Sequence, residues 1–193
     1  MLKSLFKISM LVGCFALASR MSTAQEIVHA LSGTLSSIDA GAKTIEIATD
    51  DGSDGTFHLM ADARTPLKFD KGIRSEATAA GDFKTQGAHV VVYYFGAGSG
   101  RTVVALKDLG AGPFTTTSGT VVKFDKKEHS LTVKDQSGTN QSFNVAPSTI
   151  AETDQGAMEG LKFDPRKGEK VIVAAAQASG SSTAVFINGA LGF

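Results

Sequence analysis

The sequence predicts an all-β protein made of two similar halves. Three observations carry this prediction: short segments alternate polar and apolar residues, turn-forming residues separate them, and the pattern of the first half recurs in the second. Thr44–Thr49 shows the alternation, with Ile45 and Ile47 on one face and polar or small residues on the other, the period of a half-buried strand. With 42% hydrophobic and 20% charged residues, the chain has the composition of an ordinary folded protein.

The first 24 residues have the features of a secretory signal peptide. Lys3 and Lys7 precede an apolar run over Ile8–Ala18, and Ser22-Thr23-Ala24 supplies small residues for cleavage. The run is too short for a retained membrane-spanning helix. We therefore expect a periplasmic or secreted protein that begins after Ala24 and has no transmembrane span. Leu-Val-Gly-Cys at 11–14 also resembles a lipobox, so a lipoprotein anchored through Cys14 is the alternative.

Charge argues against nucleic acid as a partner. The chain has 19 basic and 19 acidic residues, and loss of the leader removes Lys3, Lys7 and Arg20 without removing an acidic residue. The remaining chain is mildly acidic. Neither a DNA backbone nor an anionic membrane surface is then an expected partner.

The two halves are related by an internal repeat. Ser-Gly-Thr at 32–34 recurs at 118–120, a shift of 86 residues, and the following strands and turns keep this shift. Further along the chain the shift is 81 residues, as the match of Val90–Val92 with Val171–Val173 shows. The prediction is a first repeat over 25–112, a linker over 113–117 and a second repeat over 118–193.

Five short strands are predicted in each half. In the first half they cover 30–39, 44–49, 56–60, 89–95 and 101–108, with turns rich in Gly, Asp and Ser between them. In the second half they cover 117–125, 130–135, 140–145, 170–176 and 182–188. A short helical turn is expected between strands three and four of each half, near 76–80 and near 155–159.

Three strands, a helical connection and two further strands is the element order of an OB-fold. The predicted architecture is therefore two tandem five-stranded OB-like barrels. Another five-stranded barrel or sandwich with the same hairpins, for instance an SH3-like one, is the alternative.

Three motifs mark the strands and turns: Ser-Gly-Thr-x-x-x-Ile-Asp at 32–39, Lys-Thr-Ile-Glu-Ile at 43–47 and Gly-Glu-Lys-Val-Ile-Val at 168–173. Together they resemble a class of exported bacterial barrel domains of unknown function. The opening is also similar to the CusF-like periplasmic copper chaperones, which bind copper through one histidine, two methionines and a tryptophan. This resemblance implies an OB-like barrel in the cell envelope.

The copper ligands of those chaperones are not present at the matching positions. The chain has no tryptophan, and Thr49 and Asp135 stand where the histidine is expected. His58 and Met60 remain as weak metal candidates on one strand face, since nitrogen and thioether suit a soft ion such as Cu(I). Two ligands do not make a tight metal site. We therefore expect His58 and Met60 to be surface residues without a role, and we expect no cofactor.

No catalytic motif is present, and an enzyme is not expected. The four histidines lie on different elements, and no nucleophile-elbow sequence accompanies them. The favoured function is a non-catalytic binding or adaptor module of the envelope for a protein, glycan or small ligand. A metal-handling protein and an undetected hydrolase are the alternatives.

Tyr94 and Arg101 are the predicted ligand-binding residues. They flank the loop between strands four and five of the first half, and the matching positions of the second half hold Ala175 and Ser182. Tyrosine and arginine often carry binding energy. The alternative is structural, with Tyr93 and Phe95 filling the barrel and Tyr94 covering an edge.

Overall fold

This computed structural model describes residues 25–59, 65–110, 112–178 and 180–190, and most of them lie in β-strands. The predicted leader, Cys14 and Met60 lie outside the described residues.

The first half contains β1 (Glu26–Ile27), β2 (His29–Asp39), β3 (Thr44–Thr49), β4 (Thr56–Leu59), β5 (Leu67–Lys68), α1 (Lys71–Ser75), β6 (Thr78–Ala79), β7 (His89–Phe95) and β8 (Thr102–Asp108), with 3-10 turns at Ala80–Asp82 and Gly98–Gly100. The second half contains β9 (Phe114–Asp125), β10 (Ser130–Asp135), β11 (Asn140–Thr153), β12 (Gly156–Glu159), a 3-10 turn at Gly160–Lys162, β13 (Lys170–Ala178) and β14 (Ser181–Asn188).

The second half forms a closed five-stranded β-barrel. Around the barrel the strands follow the order β9, β10, β11, β14 and β13, and β13 returns to β9. All pairings are antiparallel except that of β11 with β14, which is parallel. Apolar side chains from all five strands fill the interior, including Leu131, Val133, Phe143 and Val173. The predicted strands of this half are therefore present, several of them longer than expected.

The first half forms a six-stranded sheet in the order β4, β3, β2, β7, β8 and β6. In addition, β4 pairs with β8 in parallel through His58–Thr102 and Leu59–Val103. Leu35, Ile45 and Phe57 are fully buried in its core. The alternation seen in Thr44–Thr49 thus corresponds to one buried and one exposed face of β3.

The glycine of each Ser-Gly-Thr motif lies where two strands come very close. A Cβ atom on Gly33 would lie 2.4 Å from the carbonyl oxygen of Ala48, and one on Gly119 would lie 2.3 Å from that of Lys134. Both distances are far below any van der Waals contact. The repeated motif therefore has a structural role: only glycine allows β3 to approach β2, and β10 to approach β9, this closely.

The helical turns are displaced from the predicted residues, although the 3-10 turn Ala80–Asp82 begins at the last predicted position of the first half. In the first half, α1 occupies Lys71–Ser75, and its N-terminus is capped by the side chain of Asp70, which accepts a hydrogen bond from Gly72 N at 2.8 Å. In the second half, residues 156–159 form β12, an antiparallel partner of β11. Gly156 has a φ of +99°, which allows the tight reversal after Thr153 and explains why a hairpin forms there instead of a helix.

Two further segments differ from the prediction. Residues 114–117, assigned to the linker, begin β9 and pair with residues 173–176 of β13, consistent with the β propensity of consecutive threonines. Strand β11 continues to Thr153, well past residue 145. Residues 146–149 bulge opposite Val185, which accommodates Pro147, and Thr149 Oγ1 donates to Ala184 O at 2.6 Å across the bulge.

A third apolar cluster is shared by the two halves. The first half contributes Val28, Ala30, Ile73, Val91, Tyr93 and Ala105, and the second contributes Ile150, Ala174 and Phe186. Strand β7 is buried on both sides, because Val90 and Val92 face the core of the first half whereas Val91 and Tyr93 face the second half. The two halves therefore pack directly against each other through this shared core.

Candidate functional site

A cleft of about 680 Å³ opens between the two halves beside the shared core. The first half contributes the start of β2, the end of β7 and the loops that follow β3 and β7. The second half contributes residues 152–154 at the end of β11 and Asn188 at the end of β14. The bulged extension of β11 and the length of β14 thus bring polar side chains of one half to the loops of the other.

Tyr94 forms part of the wall of this cleft. It lies opposite His29 in the β2–β7 ladder, and its ring centroid is 5.9 Å from that of His29 and 5.1 Å from that of Phe57. Burial, together with the charge of Glu152, raises the pKa of the Tyr94 phenol. Tyr94 packs on the core of the first half while Tyr93 faces the second half, so Tyr93 does not fill the barrel as the structural alternative expected.

Arg101 lies behind Tyr94, where its hydrogen bonds go to the protein itself. Its guanidinium carbon is 4.4 Å from the ring centroid of Phe57 and 5.7 Å from that of Tyr94. Nη2 donates to the carbonyl oxygen of Asp54 and lies 3.5 Å from an oxygen of its carboxylate. The side chain is 11% exposed. The structure thus brings Tyr94 and Arg101 together, with Arg101 supporting the aromatic wall.

Glu152 is the residue of this site that the sequence analysis missed. Its side chain is only 6% exposed. Oε1 lies 2.6 Å from His29 Nδ1, and Oε2 accepts a hydrogen bond from Ala30 N at 2.8 Å. A carboxylate of the second half therefore binds the first residues of β2. The sequence signal was weak: an acidic residue after Ile150-Ala151, in a segment assigned to a loop.

The His29–Glu152 contact alters the pKa of both groups. The hydrogen bond to Glu152 raises the pKa of His29. Burial raises the pKa of Glu152, although His29 and the Ala30 amide act in the opposite direction. A buried charge needs a partner and hydrogen bonds, and this carboxylate has both.

Carboxylates dominate the polar lining of the cleft. The Asp51 carboxylate accepts a hydrogen bond from Ser53 N of the same loop at 2.9 Å. Its other oxygen lies 3.4 Å from Asn188 Nδ2 of the other half. Asp154 of the second half also lines the cleft and raises the pKa of Glu152 further. Arg101 already contacts Asp54, and Glu152 is buried against His29. The carboxylates of Asp51 and Asp154 therefore make the open part of the cleft acidic. Such a field favours neutral polar or cationic groups over anions.

A second histidine lies at another contact between the halves. The His89 ring stacks on Phe114 with centroids 4.5 Å apart, Nε2 lies 3.1 Å from Asp50 Oδ2, and Nδ1 lies 3.3 Å from Thr34 Oγ1. Thr34 and His89 are cross-strand neighbours in the β2–β7 ladder. We assign this cluster to packing of β9 against the first half, since the ring and both nitrogens are in contact with neighbouring groups.

The weak metal candidates are only partly described. His58 is exposed, and its Nε2 lies 3.0 Å from the carbonyl oxygen of Ser99, while Met60 lies outside the described residues. Within the ranges that the structure describes, no group of three or more His, Cys, Asp or Glu residues is arranged to hold a metal ion.

Comparison with known proteins gives no family for this chain. No protein-family model and no curated protein matches it. Among the described residues, no helix has the length and apolar character needed to cross a membrane.

Proposed function

We propose that the protein is an exported, non-catalytic binding module of the cell envelope, and that its ligand occupies the cleft between the two halves. Its architecture is proposed to be two tandem OB-like barrels. The support is that the first-half sheet follows the same pairing order as the second-half barrel, including a parallel contact between the third and fifth strands, β4–β8 in one case and β11–β14 in the other.

The observation that carries the binding proposal is the asymmetry between the halves. Tyr94 presents an aromatic ring to the cleft, whereas the matching residue, Ala175, is fully buried inside the second barrel. Ligand-binding sites commonly combine an aromatic surface with a few convergent polar groups. Here those groups, Asp51, Asp154 and Asn188, come from both halves.

The acidic lining favours some ligand chemistries over others. Asp51 of the first half and Asp154 of the second both line the cleft, so an anionic ligand would be repelled by a carboxylate of each half. Hydroxyl groups and protonated amines can instead donate hydrogen bonds to these carboxylates. The ligand class we propose is a saccharide or an amine-bearing small molecule.

The test is an NMR titration of the mature protein with a neutral oligosaccharide mixture and, separately, with spermidine. We expect amide shifts at Gly96, Gly98 and Asp154 for one of these probes. An Asp51→Asn, Asp154→Asn double variant should weaken that binding about tenfold or more, a typical effect of losing hydrogen bonds to charged groups. Asp82→Asn, which removes one exposed carboxylate outside the cleft, is the control for a loss of negative charge elsewhere on the surface.

Two results would contradict the proposal. One is a shift pattern that maps outside the cleft, and the other is a double variant that binds no more weakly than Asp82→Asn. Failure of both probes would reject the proposed ligand class. Export is tested by the intact mass of the native protein, which should correspond to a chain beginning at Gln25, whereas a lipid adduct on Cys14 would support the lipoprotein alternative.

A further inference from the structure

The Glu152 carboxylate is a buried polar connection between the halves in the cleft. It extends from the end of β11 into the first half and uses both oxygens, one toward His29 Nδ1 at 2.6 Å and one toward Ala30 N at 2.8 Å. Only 6% of its side chain is exposed. Because β2 begins at His29, this side chain attaches the start of that strand to the second half, beside the hydrogen bond from Ala157 N to Val28 O.

The strength of this connection depends on the proton of His29. When the imidazole is protonated, Glu152 faces a cation and the pair is a charge-assisted hydrogen bond. When the imidazole is neutral, the carboxylate stays buried without a counter-charge, which is costly in a low-dielectric environment. His29 itself is 31% exposed, so it exchanges protons with solvent through the cleft.

We propose that the His29–Glu152 pair is a pH-sensitive latch that closes the junction of the two halves when His29 is protonated and loosens it when His29 is neutral. The latch regulates the same cleft that we propose as the binding site, and only that consequence rests on the proposed function. The latch itself is a property of the junction and needs no ligand.

The direction of the pH effect follows from the pKa changes. The pKa of His29 and that of Glu152 are both raised in the folded protein, so the closed junction holds protons more tightly than the unfolded chain. The stabilisation from the protonated His29 is then present below pH 6.5, the ordinary pKa of histidine, for as long as Glu152 remains ionised. It is lost as the pH rises through the raised pKa of His29.

The other charged groups around the pair do not reverse this sign. Asp154 follows Glu152 on the same side of the cleft, Asp51 faces it from the β3–β4 loop, and Tyr94 lies beside His29 on β7. The two carboxylates favour a protonated His29 as Glu152 does. Arg101 acts in the opposite direction but is held by Asp54 behind the Tyr94 ring.

The test follows the Ala30 amide, which donates directly to Glu152. We measure its hydrogen-exchange protection factor, corrected for intrinsic exchange, and the His29 imidazole resonances between pH 6 and 9. We expect protection to fall about fivefold or more, the lower end of usual coupling between linked sites, with the same midpoint as His29. In His29→Gln, where the amide can still donate to Glu152, protection should not change with pH.

Two controls make the outcome decisive. His58→Gln removes an exposed histidine and should leave the wild-type profile unchanged. His89→Gln removes the histidine that packs on Phe114, and loss of the pH dependence in this variant alone would assign it to His89 and overturn the proposal. A flat wild-type profile, or a pH dependence that persists in His29→Gln, would also overturn it. A latch found without binding of either probe would reject the proposed ligand class and leave the latch itself supported.

Discussion

At the scale of single residues, two glycines determine how the strands cross. Gly33 and Gly119 occupy equivalent places in the repeated Ser-Gly-Thr motif, and in both cases a side chain would meet the backbone of the neighbouring strand. Backbone atoms cannot move aside as the end of a flexible side chain can. Replacement of either glycine therefore requires displacement of a strand.

Gly119→Ala tests this directly. The added Cβ would lie 2.3 Å from Lys134 O and 2.6 Å from Val133 Cγ1, so we expect a loss of stability of about 1–3 kcal/mol or more, the usual cost of overpacking a well-packed core. Urea unfolding followed by circular dichroism measures it. Gly81→Ala is the matched control, because no atom lies within 4 Å of a Cβ atom built there. Equal stability of the two variants would contradict the close approach.

The functional residues differ in how far sequence could predict them. Tyr94 and Arg101 were identified because the two halves differ at matching positions, and comparison of repeats exposes such differences. Glu152 was missed because its environment is created by residues more than a hundred positions away, at His29 and Ala30. Local sequence patterns do not reveal which side chains of one half will contact the other half.

At the scale of elements, Asp135 organises the β10–β11 hairpin. Its carboxylate accepts hydrogen bonds from Ser137 N at 2.9 Å, Thr139 N at 2.9 Å and Gln141 Nε2 at 2.9 Å, and also from Ser137 Oγ at 2.6 Å. These bonds, led by that of the Ser137 side chain, lower the pKa of Asp135 to about 2. The ionised carboxylate is thus the form that stabilises the turn.

Asp135→Asn should make the stability of the protein less sensitive to acid. A lowered pKa contributes stability that is present above the unfolded value of about 3.9 and is lost as the pH falls toward 2. We expect the wild type to have the higher thermal midpoint at pH 7 and the difference to shrink between pH 4 and about 2. Thermal unfolding across this range measures it, with Asp82→Asn as control. A difference that is independent of pH would contradict the role of the charge.

Elements with regular alternation were predictable, and those shaped by tertiary contacts were not. The prediction for β3 and β10 matches the structure to the residue, because one face of each strand is buried in its own half. Strand β11 was predicted too short, since its continuation past Pro147 depends on a bulge held by Thr149 and β14. The hairpin at Gly156 likewise depends on contact with the other half, where Ala157 N donates to Val28 O at 2.8 Å.

At the scale of the whole molecule, the shared core couples the folding of the two halves. Strand β7 uses alternate side chains for two cores, and Ile150 and Phe186 of the second half lie in the core that Tyr93 and Ile73 enter from the first half. If either half unfolded alone, this surface would be exposed to water. We therefore expect the wild type to unfold in one cooperative transition.

Ile150→Ala should weaken this coupling more than it weakens either half. Ile150 is fully buried in the shared core, and loss of its side chain should cost about 2–5 kcal/mol. Calorimetry should show a lower midpoint and a ratio of van't Hoff to calorimetric enthalpy below one. Leu131→Ala, equally buried but inside the second barrel, should lower the midpoint and keep the ratio near one. Two transitions in the wild type, or the same ratio in both variants, would show that the halves unfold independently of the shared core.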